Sequence, residues 1–190
     1  MSPILGIWAS SQQPALATSY ESIATVTVGS GGSSSVTFSS IPGTYKNLQI
    51  RASNRDTRTG TNEQSVRMQF NSDAGNNYSR HYLEGYGSGT PSVGGTASTD
   101  WIKVGLSPTS SANANTYGVF IVDILDYADT SKYKTARSFG GDDLNGSGTI
   151  GLWSGLWMNT TAITSITLSP TNSELWVANS KFALYGIKGA

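Results

Sequence analysis

His81 is the only histidine in the chain, and the chain has no cysteine. A Ser-His-Asp triad would have to be built on this one ring, and no Gly-x-Ser-x-Gly elbow accompanies it. A zinc site would need three or four histidine, cysteine or carboxylate ligands, which these residues do not supply. Asp123 and Asp126 are three positions apart on one predicted strand, so they point to opposite faces and cannot act as an acid and base pair. We therefore expect no enzyme, no metal and no cofactor.

Two acidic positions have simpler structural interpretations. Residues 142–148 (DDLNGSG) carry the oxygen donors that calcium prefers, but they lack the alternate spacing and distal glutamate of an EF-hand. A glycine-rich hairpin loop is the first interpretation, and weak calcium binding is the alternative. Asp123 shares a strand face with the apolar Val119 and Ile121, where an unpaired carboxylate would be costly. We expect it to pair with a cation such as Arg137 or to accept hydrogen bonds from loop backbone.

Aromatic residues offer the remaining binding chemistry, because such rings stack against sugars and pack in cores and subunit interfaces. Trp153 and Trp157 share one face of a predicted strand, and Tyr82 lies on a predicted face of tyrosines. Packing in the core or in an interface and binding of a glycan both remain open for these rings. The candidates for subunit-interface or ligand aromatics are Trp101, Trp153, Trp157 and Tyr82.

The residues above are positioned by predicted strands. In each strand apolar and polar side chains alternate, and turns rich in glycine, asparagine and aspartate separate one strand from the next. About ten or eleven short strands at near-regular spacing favour an all-β fold, an antiparallel two-sheet sandwich of jelly-roll type. Residues 175–178 are predicted to be one of the last strands. Residues 54–62 and 87–99 are polar or of low complexity, and we predict that both are surface loops.

Two predicted strands, 117–126 and 150–158, are apolar on both faces. In the second, Ile150 and Leu152 lie on one face and the tryptophans on the other. A two-layer sandwich covers only one face of each strand. We therefore expect the second face to be covered by another subunit or by a long loop.

Residues 1–19 are predicted to form an extended arm ahead of a β-sandwich domain at 20–190. The arm contains Pro3 and Pro14 and has no sustained periodicity. Its large apolar residues lie too close to the terminus to build a core, so we expect them to anchor the arm on another surface; a frayed tail is the alternative. These anchoring residues are Ile4, Leu5, Ile7 and Trp8.

Composition limits the partners. The 190 residues have a formal net charge of zero, and only 13% of them are charged. No basic patch is available for nucleic acid, and a near-neutral surface suits a protein that lives in an assembly. The apolar N-terminal stretch is too short for a signal peptide or a membrane span, so we expect synthesis in the cytoplasm and no membrane partner.

Four segments are distinctive in their exact amino-acid sequence as well as in their pattern of apolar and polar residues. They are SPILGIWASS, then YESIATVTVGSGGSSSVTFSSIPGTYKNLQIR, then VDILDYADTSKYKTARSFGGDDLNGSG, and finally SGLWMNTTAITSITL closing on FALYGIKG. Together they resemble a widespread group of structural proteins of tailed bacteriophages, over about residues 2 to 189. The resemblance implies a non-enzymatic, β-rich virion component that is assembled in the host cytoplasm.

An arm plus one domain, with no long coiled coil or fibre shaft, departs from a full tail fibre. The leading hypothesis is a capsid decoration or cement protein, a homotrimer whose arm binds the major capsid protein, another virion protein or a neighbouring copy. The alternative is a tail- or fibre-associated adhesin, in which residues 54–62 and 87–99 and aromatics such as Trp101 contact a host glycan.

Overall fold

A computed structural model describes residues 19–87 and 89–189, which form strands, turns and loops. The twelve strands in these ranges are β1 (Tyr20–Thr27), β2 (Val36–Phe38), β3 (Asn47–Asn54), β4 (Glu63–Phe70), β5 (Tyr78–Tyr86), β6 (Ser92–Thr99), β7 (Ile102–Pro108), β8 (Gly118–Leu125), β9 (Lys134–Gly141), β10 (Thr149–Trp157), β11 (Ile166–Pro170) and β12 (Lys181–Ile187). Across these ranges no helix is long and apolar enough to cross a membrane. Residues 1–18 of the predicted arm lie outside the described residues.

All strand pairs are antiparallel, and they form two sheets that pack face to face, so the predicted β-sandwich is confirmed. The larger sheet has the order β1-β12-β3-β8-β9-β10-β5-β6, and the smaller has the order β2-β11-β4-β7. Without β5, β6, β9 and β10, the two sheets have the strand order of an eight-stranded jelly roll. The hairpins β5–β6 and β9–β10 are therefore insertions that extend one jelly-roll sheet from four strands to eight.

The core lies between the sheets because alternate residues of each strand point inward. In β4, Val66, Met68 and Phe70 are fully buried, and in β8 the buried residues are Phe120, Val122 and Ile124. Each large apolar side chain buried in this way stabilises the fold by roughly 1.5–3 kcal/mol relative to exposure. The hydrophobic core is therefore one continuous layer that reaches from the jelly roll into the inserted strands, where Trp157 joins it.

The prediction of a surface loop at 87–99 is wrong for most of its length, because β6 occupies Ser92–Thr99 and pairs with β5. Its glycines lie beside rings of the neighbouring strand. A Cβ atom on Gly94 would lie 2.6 Å from the Tyr82 hydroxyl oxygen, and one on Gly95 would lie 2.4 Å from Cδ2 of His81. The two glycines therefore lie directly against rings of β5, and a Cβ atom at either position would require the neighbouring ring to move.

The prediction that 54–62 is an exposed loop is wrong at its start, where Asn54, Arg55 and Asp56 are buried. The Arg55 guanidinium donates hydrogen bonds of 2.7–3.0 Å to the carbonyl oxygens of Ala112, Asn113 and Thr116. These bonds satisfy backbone acceptors of the loop before β8. Arg55 therefore connects the loop after β3 to the loop before β8, and its side chain does not face solvent.

The predicted strand at 175–178 is also wrong. Trp176 makes only isolated bridges, to Ser33 and to Asp56, and its side chain is fully buried. The indole packs on Phe182 with ring centroids 5.1 Å apart. The backbone of this segment makes isolated hydrogen bonds with Ser33, Arg55 and Thr57 instead of a ladder, and the Trp176 ring joins the core.

Candidate functional site: an apolar sheet face

The outer face of the eight-stranded sheet carries a row of apolar side chains that stay exposed within the described part of the chain. Opposite one another on five neighbouring strands lie Val93, Leu83, Leu152, Phe139 and Ile121. These five side chains are 42–73% exposed, which is high for residues of this size. We call them the apolar row.

A second line of residues runs beside the apolar row and alternates glycine with β-branched residues. It consists of Gly85, Ile150, Gly141 and Val119, again opposite one another in the ladder. Hollows lie on either side of the projecting Ile150. The one that includes Gly141 has a volume of about 590 Å³, and the one that includes Gly85 has a volume of about 280 Å³. The apolar row together with Val119 and Ile150 is the apolar face.

A polar row borders the apolar row on its other side, and its charges neutralise each other. Asp123 lies opposite both Arg137 and Gln49, its neighbours on adjacent strands. The Arg137 Nε lies 3.4 Å from Asp123 Oδ2, and the Gln49 amide donates to Oδ1 at 2.9 Å. The predicted pairing of Asp123 with Arg137 is confirmed. Because the pair is partly exposed, it contributes little to stability.

Trp153 and Trp157 point into the core, so the prediction of interface or ligand aromatics is wrong for both. Their exposed fractions are 2% and 1%, respectively. The Trp157 indole N–H donates to Asp73 Oδ2 at 2.7 Å, and its ring stacks on Tyr78 with centroids 6.3 Å apart. The sequence correctly separated the tryptophans from Ile150 and Leu152, but the aliphatic face is the exposed one.

Trp101 and Tyr82, the other two candidate aromatics, are half-buried and have cations over their rings. The Arg80 guanidinium carbon lies 3.8 Å from the Trp101 ring centroid, and that of Arg67 lies 5.4 Å away. The Lys103 ammonium nitrogen lies 5.2 Å from the Tyr82 centroid. A cation over a ring competes with a sugar for that ring face.

Glu84 is a buried carboxylate that the sequence analysis did not single out. Lys103 forms an ion pair with it, the Trp153 indole donates to it at 2.6 Å, and the Tyr86 hydroxyl donates as well. Burial alone would raise the pKa of Glu84, but the hydrogen bonds from Lys103, Tyr86 and Trp153 hold that pKa below its usual range. The fully engaged carboxylate joins the inserted strands to β7 and has a structural role.

The acidic loop at 142–148 connects β9 to β10, so the interpretation as a hairpin loop is confirmed. The loop closes through a bond from the Leu144 N–H to the Ser147 carbonyl at 2.8 Å. Burial, together with the neighbouring Glu63 carboxylate, raises the pKa of Asp142 well above its usual range. In the ranges that the structure covers, no three histidine, aspartate or glutamate side chains are grouped as metal ligands.

The predicted anchoring residues Ile4, Leu5, Ile7 and Trp8 lie outside the described residues. Comparison of the chain with protein-family models, curated proteins and solved structures gave no match. The class of protein is therefore defined by the architecture itself. It is a β-sandwich with jelly-roll strand order, one sheet of which carries an exposed apolar face.

Proposed function

We propose that the chain is a structural protein of a tailed-bacteriophage virion, a capsid decoration or cement protein that binds the outer head lattice and stabilises it. The observation that carries the proposal is the apolar face. Its seven side chains expose on the order of 600 Å², the upper end of what a soluble monomer presents, and patches of that size mark sites of association. The resemblance of the four segments to phage structural proteins supports the same assignment.

The near-neutral composition also fits a protein of an assembly. Next to the apolar row, Asp123 is paired with Arg137, so this charge does not oppose contact with another protein surface. Only 13% of all residues in the chain are charged. Such a surface packs against neighbours at little desolvation cost compared with a highly charged one.

The alternative of a tail-associated adhesin has less support. Two of its four candidate rings, Trp153 and Trp157, lie in the core, and Arg80 covers Trp101. Of its two candidate contact loops, 54–62 begins with buried residues and 87–99 is mostly strand β6. Decoration of the head is the function that these features favour.

Copy number in purified virions tests the proposal. Quantitative mass spectrometry should find this chain at a fixed ratio to the major capsid protein, with hundreds of copies in each particle. A tail protein of known copy number serves as the internal standard. A handful of copies would support the adhesin instead, and absence from the particle would refute both functions.

The role of the arm is tested on the same particles with full-length variants. Replacing Ile7 and Trp8 together by serine should lower occupancy on the head and leave the circular dichroism spectrum of the isolated protein unchanged. The matched control replaces Ser10 and Ser11, in the same segment, by alanine. Equal occupancy of the two variants would contradict an anchoring role for the apolar residues.

A further inference from the structure

We propose that the apolar face is a homodimer contact, on which a second copy of this chain lays the same face around a two-fold axis. The inference names a second copy of this chain as the partner of the face that supports the proposed function, and it is tested on the isolated chain, so its failure can be told apart from a failure of the virion role. It follows from the area of the face, from its shape and from its charge.

The area is sufficient for a dimer. Two copies of a face of on the order of 600 Å² would together bury about 1,200 Å², which is the lower limit of the range for stable, specific interfaces. The polar row beside it, from His81 to Gln49, would add a rim of hydrogen-bonding groups. A central apolar patch with a polar rim is the usual arrangement in such contacts.

The shape is complementary to itself. Ile150 is 60% exposed and projects between the hollow at Gly85 and the hollow at Gly141. A two-fold axis close to this position would place the Ile150 side chain of each copy in a hollow of the other. Face-to-face sheets in sandwiches interdigitate in the same way, at a separation of about 10 Å.

One of the two hollows has no explanation within the described chain. At Gly141 a Cβ atom would lie 2.3 Å from the Thr149 carbonyl oxygen, so the backbone itself demands glycine there. At Gly85 the nearest atom to such a Cβ would be Ile150 Cγ2 at 3.7 Å, an ordinary contact, and φ is not positive. Glycine at 85 therefore keeps a hollow open that the fold does not need, and an Ile150 side chain from a second copy would fill it.

The charge permits two identical surfaces to meet. The seven side chains of the apolar face are uncharged, and the groups at its edges carry both signs: Arg51 lies opposite Ile121, Asp142 and Asp143 border the hollow at Gly141, and Asp123 is paired with Arg137. A two-fold contact needs only one self-complementary patch, whereas a closed trimer needs two different patches that match. The face therefore favours a dimer over the trimer that we expected from the sequence.

Sedimentation velocity of the full-length chain, from about 0.1 to 50 μM, tests the proposal. Wild-type protein should pass from monomer to dimer in this range. Leu152→Lys should weaken the dimer at least about 30-fold, since it places an ammonium group at the centre of an apolar contact. The matched control is Leu175→Lys, the same substitution at an exposed leucine outside the face, and it should dimerise like wild type.

A second measurement covers the case in which Leu152→Lys fails to fold. Because the chain has no cysteine, Ile150→Cys introduces a single thiol next to the proposed axis. A short bis-maleimide should link this variant into a covalent dimer, and Leu175→Cys should stay uncrosslinked. A monomer at every concentration, a trimer, or dimerisation unaffected by Leu152→Lys would overturn the proposal. A monomer whose cross-linking stays low until Ile7 and Trp8 are replaced by serine would identify residues 1–18 as the occupant instead.

Discussion

Asp56 should make the stability of the protein depend on pH in the direction opposite to that of most carboxylates. Its side chain is fully buried; Oδ1 accepts a hydrogen bond from the Arg58 N–H at 3.0 Å, while Oδ2 has no partner among the described residues. Burial is the main reason that the pKa of Asp56 rises from 3.8 to about 6, and the nearby Glu174 carboxylate acts in the same direction. The folded protein therefore binds the Asp56 proton more tightly than the unfolded chain does.

The sign of the pH effect follows from this difference. A proton held more tightly in the folded state contributes stability that is fully present below pH 3.8 and is lost as the pH rises through about 6. A rise of about two pH units in pKa corresponds to about 3 kcal/mol. Asp56→Asn keeps the acceptor for the Arg58 N–H and cannot ionise. The variant should match wild type near pH 4 and exceed its free energy of unfolding by up to about 3 kcal/mol at pH 8.

Urea unfolding followed by tryptophan fluorescence, at intervals from pH 4 to pH 8, measures this difference. With a slope of about 2 kcal/mol per molar urea, the midpoint of Asp56→Asn at pH 8 should lie about 1.5 M above that of wild type. The control is Asp129→Asn. Hydrogen bonds from Ser131 lower the pKa of Asp129 to about 2, so its pH effect lies below this range. Parallel midpoint curves for Asp56→Asn and wild type would refute the reasoning.

Two substitutions test the packing of the inserted strands. Glu84→Gln should lower the free energy of unfolding at pH 7 by about 2–4 kcal/mol, because it leaves the Lys103 ammonium group without its buried partner. Adding Lys103→Met should recover part of the loss, and a cost below about 1 kcal/mol would show that the pair is dispensable. Gly155→Ala should cost about 1–3 kcal/mol by overpacking, since a Cβ atom would lie 2.3 Å from Ile102 Cγ2 of the opposite sheet. Gly31→Ala, where nothing lies within 4 Å, should change stability by less than about 0.5 kcal/mol, and equal effects of both alanines would contradict close sheet packing at Gly155. Both sets are measured by urea unfolding.

The sequence could predict those parts of the fold that local alternation determines. In β4 the buried side chains are the ones that the period-two pattern selects, and the cation partner that was one of the two options for Asp123 is found in Arg137. The pattern could not identify β6, because Val93 is its one large apolar residue and its glycines contact the rings of Tyr82 and His81 only when the strand is paired with β5. Cross-strand neighbours of this kind are invisible until the register is known.

The candidate site shows a second limit of such patterns. Both faces of β10 are apolar, so alternation separates Leu152 from Trp153 without showing which of them points inward. The inward direction depends on where the second sheet lies, and that is a property of the whole topology. Polar or aromatic character did not help either, because the Trp153 indole N–H finds its acceptor in the buried Glu84. The sequence therefore predicted that β10 needs cover on a second face. It placed the candidate interface or ligand residues, Trp153 and Trp157, on the face that points into the core.

The position of β12 in the larger sheet has a consequence for how the protein is made. The last strand lies between the first and the third, so Tyr20 of β1 pairs with Ile187 at the other end of the domain. Neither β1 nor the free edge of β3 can be completed until nearly the whole chain has left the ribosome. Strand pairings that close such long loops form slowly, and the strand edges stay exposed until the pairing has formed. The larger sheet therefore cannot be completed before β12 has been synthesised, and the edges of β1 and β3 that pair with β12 stay open until then.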